Sequence, residues 1–305
     1  MALHPRIDDL LELRHQAHTL GLASHHLVNS HFTGLYASVF RGSGLNFEEV
    51  REYRQGDDIR NMDWKVTART NAPHLKVFRE ERERNVLFCV DTGPHMSFGT
   101  RGTFKSIQAA RATALLGWAA NRQHDLVGGL LFGDTAAGPQ YFRPARGRRA
   151  LWQLLHALTE PGAKTPATAD CLTAALQRAD RGAGSGALIF AIADFNRDIV
   201  PLERTLGSLT QRHRVVLIPI DDPADWDIPD MGPTLFTGAG DELLEVDTSD
   251  PKARQGYREA WQQRRDMLFG LAGRLNMLVL PLRTDEEIHR TLMRNLERYA
   301  NVRPV

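Results

Sequence analysis

From residue 85 to the C-terminus, short apolar runs alternate with longer segments whose apolar residues recur at helical spacing. The strand-sized apolar runs are residues 85–90, 126–132, 187–193, 215–220 and 277–282. A strand buried on both faces is apolar throughout, whereas a helix that covers a sheet is apolar along one stripe. Strands connected by helices of this length form right-handed crossovers in one sheet. The pattern therefore predicts a doubly wound α/β fold with a mostly parallel sheet.

The chain before residue 85 has a different character. Residues 6–30 show an amphipathic helical pattern, and residues 34–84 contain 10 Lys or Arg and 9 Asp or Glu. Residues 42–63 have no helical period, which favours short strands and loops. We therefore predict two domains: a small charged N-terminal module of helix, short strands and loops over residues 1–84, and an α/β domain over residues 85–305.

Composition excludes several function classes. The 38 basic and 37 acidic residues give a net charge of +1, so bulk charge does not favour nucleic acid as a partner. Basic residues cluster locally in one segment, at Arg143, Arg146, Arg148 and Arg149. This cluster can be interpreted as a nucleic-acid contact or as a hairpin that leads into a helix, and the short run favours the hairpin.

Cysteine content and hydropathy bear on location. The 2 cysteines are too few for a disulfide framework, which indicates a reducing cytoplasm. No apolar run reaches the length that a membrane-spanning helix needs, about 18 residues. We expect a cytoplasmic protein without a membrane segment of its own.

Two carboxylates come directly after apolar runs of the predicted sheet. Asp91 follows residues 85–90, and Asp194 follows residues 187–193. In a doubly wound sheet the ligand crevice lies beyond the carboxyl ends of the strands, so we expect the two side chains at one edge. Two interpretations remain open: a site for metal or phosphate chemistry, or two N-caps of the helices that follow.

Motifs of several enzyme classes fail on spacing. The segment 99–106 places two residues between its glycine and Lys105, which a phosphate-binding loop does not allow. The glycine-rich segment 182–186 precedes a strand, whereas a dinucleotide fingerprint follows one. Position 93 is Gly, where an aspartyl phosphatase would need a second Asp. The remaining enzyme alternative is a metal-dependent phosphoester or nucleotide hydrolase that uses Asp91 and Asp194 as ligands.

The segment REYRQGDDIRNMDW at residues 51–64, followed by ARTNAPHLKVFREERERNV at 68–86, is long and specific. It resembles the von Willebrand factor A-like family known as domain of unknown function 58. The resemblance implies a von Willebrand A-type domain and a non-enzymatic adaptor or co-chaperone. The implied partners are a MoxR-type AAA+ ATPase and an unknown client protein, in assembly or maturation. The matching residues that would bind a partner or join the two domains are Arg51, Glu52, Tyr53, Asp57, Asp58, Arg60, Asp63, Trp64 and Arg69.

The resemblance also implies a metal-ion-dependent adhesion site for Mg²⁺ or another divalent cation. Its ligands would be Asp91, Thr168 and Asp194, with Asp170 as an alternative to the threonine on the same loop. The first loop departs from the family pattern, because Gly93 and His95 stand where the pattern has two serines. Magnesium prefers hard oxygen ligands, and an imidazole suits a transition metal better. We therefore expect a degenerate site.

Overall fold

A computed structural model describes residues 4–19, 44–53, 62–70, 72–81, 84–133, 139–160, 171–237 and 243–302. The chain divides into two compact units, one formed by Met1–Phe40 with Asn85–Val305 and the other by Arg41–Arg84. Among the described residues, no helix is both long enough and apolar enough to cross a membrane.

The regular elements of the described residues occur in both units. In chain order they are α1 (Ile7–Thr19), β1 (Gly44–Glu52), α2 (Trp64–Thr70), β2 (His74–Glu81), β3 (Asn85–Asp91), α3 (Lys105–Arg122), β4 (Leu126–Phe132), β5 (Gln140–Ala145), α4 (Arg148–Ala157), α5 (Cys171–Gly182), β6 (Leu188–Ala193), α6 (Val200–Arg212), β7 (Arg214–Asp221), β8 (Pro233–Thr237), β9 (Leu243–Asp247), α7 (Pro251–Arg274), β10 (Leu278–Val279), β11 (Leu282–Arg283) and α8 (Ile288–Val302). From β3 onward, the core strands β3, β4, β6 and β7 form where the apolar runs predict them, and helices lie between them in the chain.

The central sheet of the larger unit has the strand order β10-β7-β6-β3-β4-β5, and β11 also pairs with β7. All neighbours in it are parallel except β5, which runs antiparallel to β4 at one edge. The chain builds outward from β3 through β4 in one direction and through β6 and β7 in the other. The predicted doubly wound, mostly parallel sheet is therefore confirmed, and its switch point lies between β3 and β6.

Helices cover both faces of this sheet. Side chains of α1, α3, α4 and α8 share one apolar core with the sheet, and those of α5, α6 and α7 share the other. On the first face, the rings of Phe88 and Phe190 stack at 5.0 Å between centroids on the neighbouring strands β3 and β6. Burying one such ring contributes about 2–3 kcal/mol, so this pair helps to fix the two strands that carry Asp91 and Asp194.

Helix α1 belongs to the larger unit, which corrects the prediction of one module over residues 1–84. Leu10, Leu13 and Ala17 are buried in the core that α3 shares, and the Trp118 indole N–H donates to the Leu10 carbonyl at 3.2 Å. The apolar stripe of α1 needs a large apolar surface, which the short charged segment cannot provide. The described part of this helix ends at Thr19, and the rest of the pattern predicted to residue 30 lies outside the described residues.

Two details of the larger unit differ from the predicted strands. The run 277–282 forms two strands of two residues each, because Pro281 has no N–H to continue a ladder with β7. The antiparallel pair β8 and β9 is additional to the predicted elements, and its strands lie between β7 and α7 in the chain. Its leucines are exposed, so it lacks the uninterrupted burial from which the core strands are predicted.

The described residues of the smaller unit form an antiparallel pair of strands and one short helix. β1 and β2 pair from Gly44 opposite Glu81 to Glu52 opposite His74, with an irregularity between Phe47 and Glu49. This agrees with the short strands predicted for the charged segment. In the same unit, the backbone N–H of Asp63 donates to the His74 carbonyl at 2.8 Å.

Candidate functional site

The ends of β3 and β6 bring Asp91 and Asp194 to the same edge of the sheet. Asp91 is the last residue of β3, Asp194 directly follows β6, and both are almost completely buried. His95 lies between them, with Nε2 at 3.1 Å from Asp91 Oδ2 and 3.9 Å from Asp194 Oδ1. The two carboxylates thus lie where the sequence places them, at the switch point of the sheet.

Both oxygens of Asp91 accept hydrogen bonds from the chain itself. Oδ1 accepts the Gly93 backbone N–H at 3.0 Å. Oδ2 accepts from the Arg197 guanidinium at 3.0 Å and faces the His95 ring. Hydrogen bonds from a guanidinium to a carboxylate are stronger than those between neutral groups. Asp91 therefore lies at the centre of a preformed hydrogen-bonded cluster.

Asp194 is paired in a similar way, mainly with a lysine from α3. Lys105 Nζ lies 3.5 Å from Asp194 Oδ2 and 2.9 Å from Asp225 Oδ1, and its side chain is only 3% exposed. Burial favours the neutral form of Asp194, but the charges of Lys105 and His95 outweigh burial and lower its pKa below the ordinary value. Asp194 also accepts the Asn196 N–H at 3.1 Å.

The alternative in which the two carboxylates cap the following helices is wrong. The N-caps of α3 and α6 are Phe104 and Ile199, and neither helix has a side-chain cap. Among the described residues, the backbone N–H groups that Asp91 and Asp194 accept come from the turns directly after their strands. Their burial is balanced by cations rather than by a helix N-terminus.

The two departures from the adhesion-site pattern depend on each other. A Cβ added at Gly93 would lie 2.6 Å from His95 Cε1 and 3.1 Å from Asp91 Oδ1, so a serine there would collide with the imidazole. Only a residue without a side chain lets the His95 ring fold back onto Asp91. Gly93 and His95 therefore form one arrangement, in which an imidazole takes the space of a serine side chain.

A second layer of paired charges supports the cluster from the end of β7. Arg265, a buried residue of α7, donates to the Asp194 carbonyl at 2.6 Å and pairs with Asp221. Burial raises the pKa of Asp221 above the ordinary value, and Arg265 opposes that rise.

Asp222 holds the neighbouring turn in place. It accepts from the Thr100 hydroxyl at 2.5 Å and the Thr284 hydroxyl at 2.5 Å. Burial opposes ionisation of Asp222, but these hydrogen bonds outweigh it and lower its pKa.

These residues do not fit a divalent cation. Each oxygen of Asp91 already accepts a hydrogen bond within the chain, and Lys105 and Arg197 bring positive charge to within 3.5 Å of the two carboxylates. A metal ion would have to displace these internal cations against their repulsion. Among the described residues, no group of three or more His, Cys, Asp or Glu side chains is arranged to hold a metal. Thr168, the third predicted ligand, and Asp170 lie outside the described residues.

The residues predicted to bind a partner or join the domains lie in the smaller unit. Asp63 is buried, and its carboxylate caps α2 by accepting the N–H groups of Lys65 at 3.0 Å and Val66 at 3.2 Å. Trp64 is 68% exposed, and Arg69 is exposed on the same helix. Glu52 is exposed and Tyr53 half-buried at the end of β1. Asp57, Asp58 and Arg60, together with the side chain of Arg51, lie outside the described residues.

Titration of His95 should make the stability of the larger unit depend on pH. Burial opposes protonation of His95, but its hydrogen bond to Asp91 and the charges of Asp91 and Asp194 outweigh burial and raise its pKa above 6.5. Because the folded pKa is raised, this stabilisation is fully present below 6.5 and is lost as pH rises through the folded value. We expect the His95 ring signals in an NMR titration to move at a pH above that of a free histidine.

The variant Asp91→Asn is the informative comparison for this titration. It removes the negative charge but keeps an acceptor, so the pKa of His95 should fall toward or below its ordinary value. A wild-type His95 that titrates no higher than the variant would contradict the assigned contact.

This chain is similar to known proteins both in sequence and among the solved structures. Uncharacterised proteins Mb1516 of Mycobacterium bovis and Rv1480 of Mycobacterium tuberculosis are each 31% identical over 274 residues, covering 88% of this chain and 84% of theirs. The crystal structure of the conserved hypothetical protein BatB from Bacteroides thetaiotaomicron is similar with a TM-score of 0.42 and 13% identity, covering 72% of this chain and 99% of that one. The SpRpn10 VWA domain gives a TM-score of 0.37 at 12% identity, covering 73% and 96%.

A protein-family model matches most of the chain. Its match extends over residues 49–267, from β1 of the smaller unit into α7 of the larger unit. It includes the segment whose residues carry the predicted resemblance and both carboxylates of the cluster. The chain therefore belongs to the family described as protein of unknown function DUF58.

Proposed function

We propose that the chain is a non-enzymatic, cytoplasmic adaptor or co-chaperone that works with a MoxR-type AAA+ ATPase on a client protein. The observation that carries the proposal is the pairing of Asp91 and Asp194 with cations of the same chain. A metal-dependent hydrolase would need these carboxylates for its metal, and an adhesion site of the usual kind would offer that metal to a partner. In this chain, the sheet edge at the ends of β3 and β6 instead presents a preformed surface of carboxylates that are already paired with cations.

The exposed rim of this edge has the composition of a protein-binding surface. Phe98 is 42% exposed beside the cluster, and Val200 is 65% exposed at the start of α6. His95 and Arg197 remain 36% and 22% exposed, so each can offer a donor to a partner while it binds Asp91. Apolar anchors next to oriented polar groups are typical of interface centres. Trp64, which is exposed in the smaller unit, offers a second apolar anchor.

Binding of the purified full chain to the MoxR-type ATPase of the same cell tests the proposal, with ATP and with ADP. We expect Phe98→Ala to weaken the complex about tenfold, because aromatic anchors dominate interface energies. Phe269→Ala is the matched control, since Phe269 is 44% exposed on α7. It should leave the affinity unchanged.

Two results would contradict the adaptor proposal. One is the lack of any complex with either nucleotide. The other is turnover of a generic phosphoester with Mg²⁺ or Mn²⁺ that is abolished by Asp194→Asn, which would instead support the hydrolase alternative.

A further inference from the structure

A separate cavity lies between α1, α3 and α4, at the other end of α3 from Lys105. Its volume is about 350 Å³, and Trp118 and Arg122 from the last turns of α3 line it. At the rise of an α-helix, Lys105 and Arg122 are separated by about 25 Å along the axis. The cavity is therefore distinct from the charge cluster at the sheet edge, which is formed by Asp91, Asp194, His95, Lys105 and Arg197.

Three guanidinium side chains from three helices surround this cavity. Arg14 comes from α1, Arg122 from the end of α3, and Arg148 is the first residue of α4. None of the described residues that line the cavity is acidic. Positive groups that converge without a carboxylate repel one another, and a shared anion would remove that repulsion.

Arg122 is the member of this set whose environment most requires a ligand. Its Nη1 atom is buried, and no described residue accepts a hydrogen bond from it. A buried guanidinium N–H without an acceptor is costly, and any acceptor that reaches it lowers that cost. An anion in the cavity would provide the acceptor.

The start of α4 contributes to the same positive potential. Its N-cap, Gly147, provides no side-chain hydrogen bond, and its first turn contains no acidic residue. A helix N-terminus carries partial positive charge, which Arg148 at the first position increases rather than compensates. This arrangement is unfavourable in isolation and becomes favourable when an anion is bound.

We infer that this cavity binds a small phosphomonoester, with its phosphate among Arg14, Arg122 and Arg148. Guanidinium groups match phosphate oxygens by paired hydrogen bonds, and three of them can serve one dianion. Trp118 and Ala17 supply an apolar wall for the organic part. The volume of about 350 Å³ falls in the range of small-molecule sites and exceeds what inorganic phosphate alone requires.

Binding to the full chain is tested with AMP, inorganic phosphate and adenosine by calorimetry and thermal unfolding, against potassium chloride of equal ionic strength. AMP should raise the unfolding midpoint with concentration, and inorganic phosphate should do so more weakly. Adenosine should have no effect. The inference is overturned if AMP and phosphate stabilise the protein no more than chloride does.

Variants locate the binding at the three arginines. Arg122→Gln and Arg148→Gln should each weaken AMP binding at least tenfold. Arg149→Gln is the matched control, because Arg149 is the next residue of α4 but does not line the cavity. The affinity of this variant for AMP should stay within twofold of the wild-type affinity. Equal losses in all three variants, or none in Arg122→Gln, would overturn the assignment.

Unfolding in phosphate-free buffer separates a ligand site from a structural role. Arg122→Gln removes a guanidinium whose buried Nη1 has no acceptor among the described residues, so the unfolding midpoint of the variant should equal or exceed that of the wild type. A clear decrease would mean that the guanidinium stabilises the free protein, and would also overturn the inference. The result does not depend on the ATPase complex, since neither AMP nor these variants involve the sheet edge.

Discussion

Replacing Lys105 by methionine is expected to lower the free energy of unfolding of the larger unit by about 3–5 kcal/mol. Lys105 is buried and pairs with Asp225 at 2.9 Å and with Asp194 at 3.5 Å. Methionine fills much of the same space but leaves the two carboxylates without their shared cation. The loss reflects buried negative charge that has no partner, rather than lost packing. Denaturant unfolding followed by circular dichroism measures it.

Lys252→Met is the control for this substitution, because Lys252 is an exposed lysine in the first turn of α7. It should change stability by no more than about 0.5 kcal/mol. The double variant Lys105→Met with Asp225→Asn should recover part of the loss, since it removes one of the unpaired charges. A loss for Lys105→Met as small as that of the control would show that the lysine is not the counterion of the cluster.

The sequence reveals the carboxylates of this cluster but not their cations. Asp91 and Asp194 are recognisable because each follows an uninterrupted apolar run, and parallel strands bring such positions to one edge. Lys105 stands at the start of α3, and Arg197 in the loop before α6, where no periodicity indicates a contact. Lys105 attracts attention in the sequence only as the lysine of a phosphate-loop pattern that fails.

The fold is predictable to the extent that burial is uniform along an element. The core strands are buried at every residue after the first, so their positions follow from their apolar runs alone. The elements against which α1 packs cannot be predicted in this way, because an apolar stripe shows that a helix is covered but not what covers it. The contact between Gly93 and His95 is hidden for a similar reason. In the sequence they are two separate departures from the adhesion-site pattern, and only the structure shows that the His95 ring occupies the space beside Gly93.

Gly133→Ala is expected to destabilise the larger unit by about 3 kcal/mol or more and to disrupt the charge cluster. Gly133 follows β4 with φ +106°, a conformation that residues with a side chain rarely adopt. A Cβ there would lie 2.4 Å from Asp91 Oδ1 and 2.8 Å from the Gly93 backbone nitrogen. Strain and collision act together, and the collision displaces the carboxylate that binds His95 and Arg197.

Gly186→Ala separates these two effects. Gly186 also has a positive φ, +74°, but a Cβ there would meet nothing within 4 Å, so only the backbone cost of about 1 kcal/mol applies. The pKa of His95 provides a second readout: Gly133→Ala should lower it toward the ordinary value, and Gly186→Ala should leave it raised. Equal destabilisation by the two variants, with the His95 titration unchanged in both, would mean that Gly133 does not support the Asp91 cluster.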